Sequence, residues 1–175
     1  SRTYQLGGDT SAQHLQVDPA NRLFWRHPPR RLDAEEIRDA MLQAAGTLDL
    51  SRPKASPAQD LKVMEIQNNG VEAKRLEDAA IQSLHRSVYL PLVRNVTPRS
   101  LEVFDFAEQG MVTGSRDSTT VAPQALYLLN DPFVRKQAMT LAQRMLAQAK
   151  GDAASPIEAS YRWVLGRAPT AKEIA

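Results

Sequence analysis

The sequence contains no cysteine among its 175 residues. This absence excludes disulfide bonds, a thiolate nucleophile, a zinc site built from cysteines and haem attachment through a C-x-x-C-H motif. We therefore expect no cofactor in this chain, and any haem is expected only in another domain of the full-length protein. The absence does not fix the cellular compartment, because exported and cytosolic proteins can both lack cysteine.

Aromatic residues are also scarce, at 6% of the sequence, whereas hydrophobic residues make up 42%. This composition predicts a core built mainly of leucine, alanine and valine. The 22 basic and 20 acidic side chains nearly cancel and form no basic stripe, so nucleic acid is not an expected partner. No apolar run approaches the roughly 18 residues that a membrane-spanning helix needs, so no membrane span is expected in this chain.

The segment RRLDAEEIRDAM, residues 30–41, carries the strongest local signal for a helix. Asp33 is a suitable N-cap, and Glu36 three residues later completes a capping box. Gly46 is expected to end the helix, because glycine tolerates the left-handed conformation found there. Spacing by three and four residues predicts that the core-facing side chains are Ile37, Ala40, Met41, Ala44 and Leu48.

Further helices are predicted from residue 71 onward. Helical periodicity predicts helices at 71–84 and 123–129. Asp131 followed by Pro132 predicts a longer helix that Gly151 ends. Two more capping boxes begin at Ser155 and Thr170 and predict the last two helices.

The remaining segments are expected to be irregular or extended. Residues 1–29 are predicted to be irregular apart from a short helix at 22–25, and 51–60 to be a loop or linker. Short extended segments are predicted at 61–66, 87–93 and 101–106. The fold is therefore predicted to be mainly α, an irregular bundle of short helices with long ordered loops and at most a minor β-hairpin.

The domain organisation is predicted to be one helical domain over residues 1–175, cut from a larger protein at both ends. The capping box at Thr170 starts a helix shortly before the chain stops at Ala175, and no initiating Met or export signal opens the sequence. Sites shared with missing regions are therefore expected to be incomplete here.

Several motifs, taken in order, resemble a known family. They are DPANR at 18–22, RRLDAEEIRDAM at 30–41, HRSVYL at 85–90, FDF at 104–106, TTVAPQALYLLN at 119–130 and LGRAPT at 165–170. This set is similar to the planctomycete-type, cytochrome-c-associated domain of unknown function, family 1553 of the domains of unknown function. Agreement is weakest over 47–80.

The resemblance implies a C-terminal module of exported multidomain proteins that also carry a cytochrome-c-like region. It implies a periplasmic or cell-envelope location, sister domains of the same polypeptide as partners, and a connection with polysaccharide utilisation that would make polysaccharide a second partner. No catalytic residues are implied. The association with carbohydrate comes from context and not from a mechanism.

Arginine and aspartate are frequent within these motifs and are the main candidates for a binding site. Together they would form a polar cleft in which guanidinium groups grip carboxylates or sulfates of a glycan. The favoured interpretation is structural, with bidentate pairs that fasten long loops to the helices. The candidates, with two aromatic residues that would stack on sugars, are Trp25, Arg30, Arg31, Asp33, Arg38, Asp39, Arg86, Tyr89, Asp105 and Arg116.

Patterns typical of catalysis or metal binding are weak. His14, His27 and His85 lie far apart in the sequence and show no metal-ligand spacing. The serines and threonines between 115 and 119 lack a G-x-S-x-G elbow. The favoured hypothesis is therefore a non-catalytic scaffold or interaction module. The alternatives are a carbohydrate-binding module and part of an enzyme completed by neighbouring domains.

Overall fold

The computed structural model describes residues 1–60, 70–93, 96–107, 109–110, 112–148 and 154–174. Within these ranges the chain is mainly helical, which confirms the predicted fold class. The helices are α1 (Ala12–Val17), α2 (Ala34–Ala45), α3 (Val71–Gln82), α4 (Arg99–Glu102), α5 (Ala122–Asn130), α6 (Pro132–Gln148), α7 (Ala154–Leu165) and α8 (Ala171–Ile174), with single 3-10 turns at Thr3–Gln5, Pro57–Asp60 and Ser87–Tyr89.

The chain divides into two compact units, Ser1–Arg31 and Leu32–Ala175. In the first unit the expected short helix at 22–25 is wrong, and α1 was not predicted. The carboxylate of Asp18 instead accepts the backbone N–H groups of Arg22 at 3.0 Å and Leu23 at 2.8 Å. An aspartate that satisfies these donors favours a closed turn over a helix. Asn21 and Phe24 adopt positive φ angles of 55° and 53° in the same stretch.

Helix α2 begins and ends where the sequence predicts. Both halves of the capping box are present, and the backbone N–H of Asp33 donates to Glu36 Oε2 at 2.9 Å. Gly46 follows the helix in the left-handed conformation, with φ of 77°. Of the predicted core-facing stripe, Ile37 packs against the core and Met41, Ala44 and Leu48 are partly buried, whereas the prediction is wrong for Ala40, which is exposed. The buried residues of α2 are Ala34, Arg38, Leu42 and Ala45.

The core of the second unit lies where α2 packs against α4 and α6 and where α5 packs against α6. Its buried cluster consists of Ala34, Ala80, Leu90, Leu101, Phe104 and Tyr127. The rings of Phe104 and Tyr127 meet edge to face, with centroids 5.6 Å apart. Asp131 starts α6 as predicted, since its carboxylate accepts the backbone N–H of Phe133 at 2.9 Å. The predicted end of that helix at Gly151 lies outside the described residues.

No β-sheet forms in the part of the chain that the structure describes, where pairing is limited to isolated bridges at Asp49–His85 and Val93–Val96. The extended pair expected at 87–93 and 101–106 is wrong, because a 3-10 turn opens the first segment and the second begins within α4. The strand expected at 61–66 lies outside the described residues. Among the described helices, none is both long enough and apolar enough to cross a membrane.

The last predicted capping box is confirmed at α8. Glu173 Oε2 accepts the backbone N–H of Thr170 at 2.8 Å and its hydroxyl at 2.9 Å. The guanidinium of Arg167 donates to both oxygens of Glu173, at 2.9 and 2.8 Å. These donors, Arg167 first, hold the pKa of Glu173 at about 2, below its ordinary value of 4.5.

Loss of the Arg167 side chain is expected to raise the pKa of Glu173 towards its ordinary value. Because the folded pKa is depressed, the contact stabilises α8 above pH 4.5 and is lost as the pH falls towards about 2. A carbon-detected NMR titration of Glu173 in Arg167→Gln would measure the shift. Arg162→Gln, which alters another exposed arginine beside a glutamate, is the control and should leave the titration of Glu173 unchanged. An unaltered pKa in Arg167→Gln would contradict the assignment.

Candidate functional site

Helix α2 carries Arg38 into the interior, where its side chain is only 1% exposed. Nη1 donates to the carbonyl of His85 at 3.0 Å and to the hydroxyl of Ser87 at 3.3 Å. Nη2 donates to the carbonyls of Ala80 at 3.2 Å and Ser83 at 2.6 Å. The guanidinium therefore satisfies carbonyl groups at the end of α3 and in the turn that follows it.

Two further groups surround this guanidinium. Its carbon lies 5.3 Å from the ring centroid of Phe133, a cation–π contact. Asp39 lies beside it, with an N–O distance of 3.9 Å. Burial lowers the pKa of Arg38 and Asp39 opposes that effect, but arginine stays protonated in proteins.

Asp39 joins two more of the predicted candidates. Its Oδ1 accepts both the backbone N–H and the hydroxyl of Ser87 at 2.7 Å. Its Oδ2 lies 3.5 Å from Nε of Arg86. Arg38, Asp39 and Arg86 thus form one cluster with Ser87, which we call the Arg38 cluster. Most of its polar atoms are engaged with the chain itself, so the geometry fastens the segment after α3 onto α2.

A second group fixes the long loop before α5. Arg116 donates to both carboxylate oxygens of Glu35, at 2.6 and 3.0 Å, and lies 5.0 Å from the ring centroid of Phe106. The hydrogen bonds to Glu35 raise the pKa of Arg116. Asp105, whose φ is 61°, accepts the backbone N–H and the hydroxyl of Thr119, both at 2.8 Å. These bidentate contacts tie the loop to α2 and to the end of α4.

The two groups meet at a shallow depression of about 370 Å³. Three predicted candidates, Asp33, Arg86 and Arg116, line it together with Ser87 and Phe106. Arg86 is the most open of the arginines here, with its side chain 54% exposed. The depression therefore offers one guanidinium that is accessible from solvent, that of Arg86, beside that of Arg116, which is engaged with Glu35.

The remaining candidates are described unit by unit. Trp25 belongs to the first unit, where its indole N–H donates to the carbonyl of Asp18 at 3.0 Å and its ring lies beside His14 and Arg26. Arg30 and Arg31 are exposed in the same unit. Tyr89 is half-buried in the 3-10 turn of the second unit. Within the second unit, the structure brings Arg38, Asp39 and Arg86 together in one cluster.

Sequence reasoning missed a cleft with a volume of about 790 Å³ in the second unit. Glu77 of α3 and Tyr127 of α5 line it with Asp131, Arg99 and Glu102. Glu77 stands next to the buried positions Ala73, Leu76 and Ala80 in the helical repeat. Its place beside these positions was the sequence feature that could have indicated burial of Glu77, but a glutamate in a helix is far more often solvated than buried.

Within the described ranges, no three histidine, aspartate or glutamate side chains lie close enough together to hold a metal ion. The fold and the clusters define a helical module in which Arg38, Asp39, Asp105 and Arg116 bind its own loops and helices. A model of the family described as "PSD1: Protein of unknown function (DUF1553)" matches residues 1–175, and the chain belongs to this family. Searches of curated proteins and of solved structures gave no match.

Proposed function

We propose that this chain is a non-catalytic scaffold or interaction module that binds another protein surface through α5. One observation carries the proposal. The buried residues of α5 are the polar Gln124 and Tyr127, whereas Leu126 is 58% and Leu129 is 73% exposed. We call the outward row made by Ala122, Ala125, Leu126 and Leu129 the α5 stripe.

The spacing of the α5 stripe is that of a helix face made to be buried. Its members are separated by three, one and three residues, the repeat of an amphipathic helix. In this chain the repeat faces outward, with all four residues exposed. An apolar row of this kind on a surface is typical of sites where a protein partner binds.

The orientation of α5 is fixed from its inner side. Gln124 Oε1 accepts the backbone N–H of Val121 at 3.4 Å, and its Nε2 donates to Thr119 Oγ1 at 3.4 Å and Asp105 Oδ2 at 3.5 Å. Tyr127 packs against Phe104 in the core. Turning the leucines inward would expose both groups, so the α5 stripe stays outward and is covered only when a partner binds.

The partner in this proposal is a sister domain of the same exported polypeptide, in the periplasm or cell envelope, with the cytochrome-c-like region among the candidates. The family resemblance supports this choice. The polar clusters also support a scaffold, because most of their polar atoms bind the chain's own loops and helices. An interface of modest size and apolar centre is common between domains of one chain.

Replacing both leucines of the α5 stripe by lysine is expected to weaken docking while leaving the folding of the isolated chain almost unchanged. In the isolated chain Leu126→Lys with Leu129→Lys should change the free energy of unfolding by less than about 1 kcal/mol, since exposed positions contribute little to stability. In the full-length polypeptide the same change should cost roughly 1.5–3 kcal/mol for each leucine that docking buries. Urea unfolding of both forms measures the difference.

The matched control carries the same two substitutions at exposed positions away from α5, Leu50→Lys and Val112→Lys, where the side chains are 70% and 103% exposed. It should affect the isolated chain and the full-length polypeptide equally. Equal effects of the stripe variant in the two forms would contradict docking of a sister domain on α5.

A second function, a carbohydrate-binding module, has one observation in its favour. The guanidinium of Arg86 is half-exposed at the depression, which the ring of Phe106 also lines. An accessible arginine and an aromatic ring in one depression suit a sulfated or carboxylated sugar. The interaction module is preferred because Arg116, the other arginine of the depression, and Arg38 are occupied by protein groups.

A further inference from the structure

The cleft around Glu77 lies apart from the α5 stripe and from the depression, and it has the size of a ligand site. Its volume of about 790 Å³ falls within the range of roughly 300–1,000 Å³ that is typical of small-molecule pockets. The walls are mostly apolar and include Ala73, Ile81, Val103 and Phe133. A few polar groups converge between these walls, as in sites that orient a bound molecule.

Glu77 is the central polar group of the cleft. Its two carboxylate oxygens accept the backbone N–H of Arg99 at 3.3 and 3.4 Å. Burial raises its pKa, the hydrogen bond from the Arg99 N–H opposes that rise, and the nearby carboxylates of Asp131 and Glu102 add to it. Three carboxylates and two cationic side chains, Lys74 and Arg99, line the cleft, which leaves an excess of one negative charge.

Among the residues that the structure describes, no lysine or arginine forms an ion pair with Glu77, Glu102 or Asp131. Lys74 and Arg99 also line the cleft, but neither side chain pairs with these carboxylates. A half-buried carboxylate without an ion-pair partner is costly, and a bound cation would relieve that cost.

The hydroxyl of Tyr127 is a second, independent sign of a ligand. Tyr127 is 95% buried, being 5% exposed, and it lines the cleft. Its hydroxyl makes no hydrogen bond to any residue in the described ranges. The hydroxyl oxygen is not fully buried, so it reaches the space of the cleft. A phenol group in an apolar wall favours a hydrogen-bond partner, and a bound molecule would supply one there.

We propose that this cleft binds an organic cation, an ammonium or guanidinium group on an aliphatic stem, with the charge against Glu77 and a hydrogen bond to the hydroxyl of Tyr127. The apolar walls would cover the stem. The rings of Tyr127 and Phe133 add a favourable surface for a cation. The inference is independent of the α5 stripe and holds whether or not a sister domain docks there.

The arrangement favours an organic cation over a metal ion. A metal needs several ligands around one point, and no such group of carboxylates or imidazoles occurs in the described part of the chain. The carboxylates of Glu77, Glu102 and Asp131 instead share a cleft large enough for an extended molecule. The cation would come either from a free amine or guanidine compound or from a lysine or arginine side chain of a peptide.

The test is isothermal titration calorimetry of the whole chain with defined probes. n-Butylammonium and n-butylguanidinium represent free cations, the N-acetyl amides of lysine and arginine represent peptide side chains, and n-butylurea is the neutral match for n-butylguanidinium. At least one cation is expected to bind saturably while n-butylurea does not. Tighter binding of the amino-acid amides would assign the site to a peptide, and tighter binding of the butyl compounds to a free cation.

Substitutions then locate the site. Glu77→Gln keeps an acceptor for the Arg99 N–H and should weaken binding about tenfold or more, as expected for loss of a charge-assisted hydrogen bond. Tyr127→Phe keeps the ring and should weaken binding a few-fold. Asp78→Asn removes an exposed carboxylate of the same helix and should not alter binding. Thermal unfolding of each variant verifies that it is folded.

Three results would overturn the proposal. They are absence of saturable binding by all four cations, equal binding of n-butylurea and n-butylguanidinium, and unchanged affinity in folded Glu77→Gln. None of them bears on the α5 stripe, whose own test measures unfolding of the full-length polypeptide.

Discussion

Arg38→Ala is expected to lower the free energy of unfolding of this chain by about 3–5 kcal/mol, the range for breaking a buried, partnered charge. The substitution removes four hydrogen bonds, to Ala80, Ser83, His85 and Ser87. Three of the acceptors are backbone carbonyls, and carbonyls left buried without donors account for much of the cost. The change also removes one of the two guanidinium groups beside Asp39.

Urea unfolding followed by circular dichroism measures this loss. Arg135→Ala, an exposed arginine of α6, is the matched control and should change stability by no more than about 0.5 kcal/mol. Arg38→Lys keeps the charge but not the planar fork that reaches several carbonyls at once, so it should recover only a minor part of the loss. A cost for Arg38→Ala similar to that of the control would show that the Arg38 cluster does not hold the fold.

Phe133→Ala is the second substitution for which a large effect is expected, about 3–5 kcal/mol for removal of a buried phenylalanine. Phe133 is 3% exposed, and the guanidinium of Arg38 lies over its ring. Its loss leaves a cavity between α2 and α6 and takes away the face on which the guanidinium rests. Met139→Ala, at a position of the same helix that is 64% exposed, is the control and should have little effect.

Arg38 and Phe133 should also be coupled, because each loses part of its surroundings when the other is replaced. A double-mutant cycle measured by urea unfolding is expected to give an interaction free energy between about 0.5 and 3 kcal/mol. Additive costs would mean that the cation–π contact contributes nothing measurable, and the role of Phe133 would then be packing alone.

Helix ends were predictable because their causes lie within a few residues. Asp33 and Glu36 satisfy one another across three positions, as do Thr170 and Glu173. Asp131 caps the first turn of α6 from the adjoining residue. Such contacts depend on local geometry alone, so the sequence pattern and the structure agree on where these helices start.

The buried face of α2 was not predictable in the same way. Arg38 reads as a surface residue in any local pattern, yet it is buried because its partners lie 42 to 49 residues further along the chain. The helix therefore turns Arg38 inward and Ala40 outward. Long-range hydrogen bonds outweigh the hydrophobic repeat here, since leaving the carbonyls after α3 unsatisfied would cost more than exposing one alanine.

In helix α5, too, tertiary contacts and not the hydrophobic repeat decide which face is buried, and here the apolar face is the exposed one. Its existence was predicted, but the hydrophobic repeat alone would place the leucines inside. Gln124 binds the loop before the helix, through Thr119 and Asp105, and Tyr127 packs in the core. These tertiary contacts determine the buried face, and Leu126 and Leu129 remain exposed.

The candidate site was anticipated only in part. The motif arginines and aspartates were expected to converge, and the structure brings Arg38, Asp39 and Arg86 together. The position of Trp25 in the first unit and the cleft of Glu77 had no signal in the sequence, because both follow from how distant segments pack. Glu77 also lies in the region 47–80, where the family motifs give no guidance.

Site-specific photo-crosslinking from the α5 stripe tests the interaction module most directly. A photoreactive phenylalanine analogue in place of Leu129 in the full-length protein, with a second placed at the exposed Val112 as control, would be irradiated and the products identified by mass spectrometry. We expect one dominant product from position 129, joined to a defined segment of a sister domain, and none from position 112. Equal, diffuse labelling from both positions would contradict the proposal that α5 is a docking surface.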